Sequence, residues 1–163
     1  VDERSHLLGI YLNDHLAGSF AGTDLARRMA KTHEDPTVST ALGPIAAEIG
    51  QDRASLLEIM SRLDLPVRRH KVVAGWLAEK AARLKTNGRL VRRSPLSSLL
   101  ELEMLRLGVE GKAAAWKTLR RVADSEPRLE SQMLDTLLER AGRQLRTLEE
   151  LRLQQAGTTF RHA

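Results

Sequence analysis

At 163 residues, with 42% hydrophobic and 29% charged side chains, the chain has the size and balance of one folded domain and not of a disordered polymer. Aromatic residues make up only 3%, while Leu, Ala, Arg and Glu dominate, which argues for helices over sheets. The absence of cysteine excludes disulfides, thiolate zinc sites and cysteine nucleophiles.

No apolar run approaches the roughly 20 residues of a bilayer span. The start, Val1-Asp2-Glu3-Arg4-Ser5, lacks a secretory signal pattern, so a cytoplasmic location is expected. The net charge of +5 is unevenly placed: residues 66–95 hold nine basic side chains against one acid, Glu79. That segment therefore carries +8 and the remainder −3.

Prolines and periodicity divide the chain. The first segment, residues 4–32, brings Leu8, Leu12, His15, Ser19, Gly22, Ala26 and Met29 to one side. Its Gly18 and Gly22 form a G-x-x-x-G, which in water reads as a place of close helix approach. Pro36 opens a second helix, residues 36–64, with Val38, Leu42, Ile45, Ile49, Leu56, Ile59 and Leu63 at steps of three and four. Asp52 interrupts that stripe, and Pro44 predicts a kink or a later start. Leu65-Pro66 is expected to end the helix.

The long connection that follows predicts a short amphipathic helix over residues 67–86, from Val72, Val73, Trp76, Leu77, Ala81 and Leu84, with a turn at Asn87-Gly88. Laid along a bundle, it would make the third main helix parallel to the second. Ser94-Pro95 caps that helix, residues 95–124, whose apolar arc holds Leu99, Leu102, Leu105, Val109, Ala113, Trp116 and Leu119. Pro127 is expected to start the last helix, residues 127–155, with Leu134, Leu137, Leu138, Ala141, Leu145 and Leu148. Each main helix would be about 40 Å long. The fold class is thus all-α: one domain, residues 1–163, built as a four-helix bundle with an extra short helix in the connection.

Polar residues on apolar stripes are the candidates for chemistry, because burying an unpaired charge is costly. His15, Asp52 and Glu110 fall at one height if the second and third helices are parallel, with Glu48 one turn before Asp52 and Glu103 two turns before Glu110. The last helix offers Ala141 there, and so no ligand. This layout, with its long connection between the second and third main helices, resembles the ferritin-like family of four-helix bundles. That resemblance implies a Glu from each of two helices and Glu-x-x-His from each of the other two. Here the first helix has Asp14-His15, the second Glu48-x-x-Gln51, the third Glu103 or Glu110, and the last Glu139-x-x-Gly142. A full di-iron site is therefore not expected.

Three readings fit the constellation. One is a buried polar network in which His15 pairs with Asp52 or Glu110 and with Arg106 or Lys117. Another is a site for one divalent ion (zinc, manganese or iron) on His15, Glu48, Asp52 and Glu110. The third is acid–base catalysis, although no nucleophile, Gly-rich phosphate loop, serine elbow or H-E-x-x-H accompanies it. The expectation is a non-catalytic binding or scaffold protein, with a homodimer through a helix face among its arrangements; the alternative is a metal-binding protein with an altered intrabundle site.

A second candidate surface is the basic connection, where Arg68, Arg69, Lys71, Arg89, Arg92 and Arg93 offer docking for an anionic surface, a polyanion or an acidic partner. The plainer reading is a solvated surface paired with neighbouring acids. On the last helix, Arg140, Arg143 and Arg146 form a ridge that either extends the basic surface or pairs with Glu139, Glu149 and Glu150.

Overall fold

A computed structural model describes residues 3–68 and 94–161. Among them there are four α-helices and no strand: α1 (Glu3–Thr32), α2 (Pro36–Arg62), α3 (Pro95–Val122) and α4 (Ser131–Phe160). The predicted connection helix, residues 67–86, falls almost wholly outside the described residues. No described helix is long and apolar enough to cross a membrane.

The helix ends follow from their residues. Asp35 and Ser94 accept hydrogen bonds from the N–H groups of Thr37 (2.8 Å) and Ser97 (3.2 Å), each just ahead of a first-turn proline. α2 stops before Pro66, because Asp64 adopts a left-handed conformation (φ 55°). The N–H groups of Asp64 and Leu65 then reach back to the carbonyls of Ser61 (3.1 Å) and Met60 (2.9 Å), a Schellman end built on Asp instead of Gly. Pro44 lies inside α2 without delaying its start. The last helix begins at Ser131, not at Pro127, and runs on to Phe160. Pro127 instead belongs to the turn, where the carbonyl of Glu126 accepts the Leu129 N–H (3.0 Å) and the Glu126 carboxylate accepts the Arg128 N–H (3.2 Å).

Cross-helix pairs establish direction and register. Arg4 meets Ser125, Tyr11 meets Thr118 and Arg28 meets Glu101, so α1 and α3 are antiparallel. Arg120 with Asp135, Arg106 with Glu149 and Arg152 with Glu103 make α3 and α4 antiparallel. Arg62 with Glu130 and Arg140 with Asp52 do the same for α2 and α4. α2 and α3 consequently run parallel on one diagonal, as expected. The bundle consists of two helical hairpins, with α1 packed on α2 and α3, and α4 packed on α3; α2 and α4 approach less closely.

The core is one apolar cluster including Leu12, Leu42, Leu56, Leu102, Leu105, Trp116, Leu134 and Leu148. Full burial of each such side chain contributes about 1.5–3 kcal/mol before the entropy of ordering is charged against it. In α1 the buried stripe is Gly9, Leu12, Asn13, Leu16, Thr23, Ala26 and Met29, one step from the expected one. His15, Ser19 and Gly22 lie at its edge. The hydroxyls of Ser19 and Thr23 bond to the carbonyls of Leu16 (2.6 Å) and Ser19 (2.7 Å), so polar residues fit that helix face without distant partners.

Candidate functional site

One level of the interior is polar, and Asp52 is its centre. Its side chain is 1% exposed, and both carboxylate oxygens are engaged. Arg140 of α4 donates Nη1 to Oδ1 at 2.9 Å. Lys112 of α3 donates Nζ to Oδ2, across the diagonal of the bundle. The same ammonium donates to Gln144 Oε1 at 2.5 Å. Gln144 donates Nε2 to Glu48 Oε2 at 2.9 Å and lies 3.4 Å from Asp52 Oδ2. Three helices are thereby tied through two carboxylates, two cations and one amide, with no net charge.

The helices position these groups by period. Glu48 and Asp52 are one turn apart on α2, as are Arg140 and Gln144 on α4. Lys112 falls seven residues after Leu105 and seven before Leu119, both buried, so its stem follows the apolar stripe while its head ends among oxygens. Burial holds the Lys112 ammonium below its ordinary pKa; the Asp52 carboxylate opposes that shift and nearby Arg140 reinforces it. The wider separation of α2 and α4 accommodates these long side chains.

The metal-ligand set expected from sequence is not brought together. Asp52 and Glu48 share the polar level, but Glu110 is exposed, at the flank of the α3 stripe formed by Leu105, Val109 and Ala113. His15 is half-buried against Tyr11, its ring edge-on at 4.6 Å between centroids and 71° between planes. Burial lowers the His15 pKa, with Asp14 partly restoring it. Among the described residues, no three His, Asp or Glu side chains form a group able to hold a metal ion. The pairings expected for a polar network also differ: Arg106 joins Glu149 at 2.8 Å, Lys117 is exposed, and His15 joins neither Asp52 nor Glu110.

Lys112, Arg140 and Gln144 were missed by the sequence reading, although each carried a signal. Lys112 interrupts a seven-residue apolar repeat, and Gln144 stands between Ala141 and Leu148 on the α4 stripe. Arg140 reads as part of a surface ridge, yet only it leaves the ridge to enter the interior.

Asn13 is a further buried polar residue, 2% exposed. Its Nδ2 donates to the carbonyls of Gly9 (2.7 Å) and Pro66 (3.0 Å), and its Oδ1 accepts the Arg68 N–H at 2.6 Å. At the other end of the bundle, Gln155 donates Nε2 to the Pro95 carbonyl at 3.2 Å. Two side-chain amides thus hold the described residues that flank the connection. Of the basic candidates, Arg68 is exposed, while Arg69, Lys71, Arg89, Arg92 and Arg93 lie outside the described residues.

A cleft of about 180 Å³ opens at the end of the bundle, with Leu8, Leu63, Leu65 and Val122 at its base and Arg4, Glu126 and Arg128 at its rim. That rim is already paired: Arg128 bonds Glu126 (2.9 Å) and Asp64 (3.2 Å), and holds the Glu126 carboxyl at a pKa of about 2.

No family model matches this chain, and neither the curated proteins nor the solved structures contain a match.

Proposed function

We propose that the chain is a non-catalytic binding or scaffold protein of ferritin-like layout, in which fixed side-chain cations take the place of an intrabundle metal ion. The layout is supported by two antiparallel hairpins whose second and third helices run parallel on a diagonal. The observation that carries the reading is the state of Asp52: Lys112 and Arg140 occupy its two oxygens. A carboxylate pair that already balances two cations has little charge to offer a divalent ion, and a dication entering beside them would be repelled.

The second reading, a metal-binding bundle with an altered site, is favoured by the convergence of Asp52 Oδ2 and Gln144 Oε1 on one cation, with Glu48 alongside. Metal analysis of protein purified without chelator separates the two, repeated on the His15→Ala/Asp52→Ala variant. The scaffold reading expects no stoichiometric metal in either protein. One equivalent in the wild type that disappears in the variant would overturn it.

A further inference from the structure

We draw no further inference here: the strongest candidate, the unpartnered outer face of α1 and α3 where Gly18, Gly22, Gly108 and Gly111 adjoin exposed Leu107, carries nothing because nothing in the structure shows what covers it.

Discussion

Asp52 is costly to bury and more costly to remove. Its carboxylate compensates an ammonium that is itself mostly withdrawn from water. Truncation to Ala leaves Lys112 and Arg140 with Glu48 as the one carboxylate of the polar level to balance them. The expected loss for Asp52→Ala is about 3 kcal/mol, read as a lower urea midpoint at unchanged slope. A loss under about 0.5 kcal/mol would mean that both cations escape to solvent. His15 makes a different prediction. Its folded pKa lies below the ordinary 6.5, so the unfolded chain binds its proton more readily. The stability that neutral His15 contributes is present above pH 6.5 and is lost as pH falls from there toward the lower folded value. Urea titrations between pH 7 and pH 5 should show a slope that His15→Gln reduces; equal slopes in the two proteins would rule the effect out.

The elements owe their ends to local chemistry and their pairing to distant contacts. Pro36 and Pro95 mark true starts because each follows a side chain able to cap. Pro127 follows Glu126, which is not a capping residue of that kind; the Glu126–Arg128 interaction holds it in a turn, and its helix starts four residues later. The G-x-x-x-G of α1 predicts close helix approach, yet a methyl group at Gly18 or Gly22 would meet nothing within 4 Å. Pattern alone cannot say which face of a helix receives a neighbour. Asn13 acts at this scale, since it holds the chain just after α2 against α1. Asn13→Ala removes the acceptor of the Arg68 N–H and two donor bonds, at an expected cost of about 1–3 kcal/mol. Hydrogen exchange should show the Arg68 amide protected in the wild type and fast in the variant. Equal exchange rates would show that the clamp does not hold in solution.

For the molecule as a whole, the polar level works as a register device. Lys112 reaches from α3 to α2, Arg140 from α4 to α2, and Gln144 touches both partners, so sliding any of these helices by one turn breaks several charged hydrogen bonds together. Such a set adds little net stability against an apolar core of the same shape, while loss of one member is expensive. Asp52→Leu/Lys112→Met is therefore expected to lie within about 1–2 kcal/mol of the wild type and above either single variant. A double variant as unstable as the two single losses added together would show that the residues are not coupled.

By itself the sequence determined four amphipathic helices, the prolines that begin α2 and α3, and Asp52 as one of several charges set on an apolar stripe. These follow from local rules: period, caps, and the cost of an unpaired carboxylate. Tertiary structure alone decided the partners of that charge. Glu110 and Lys112 are two residues apart on α3, about 160° around its axis and so on opposite edges of the apolar stripe, and the rotation of the helix decides which edge meets α2. Packing of Leu105, Val109 and Trp116 against the other helices settles that rotation, so a lysine, not a glutamate, closes the polar level.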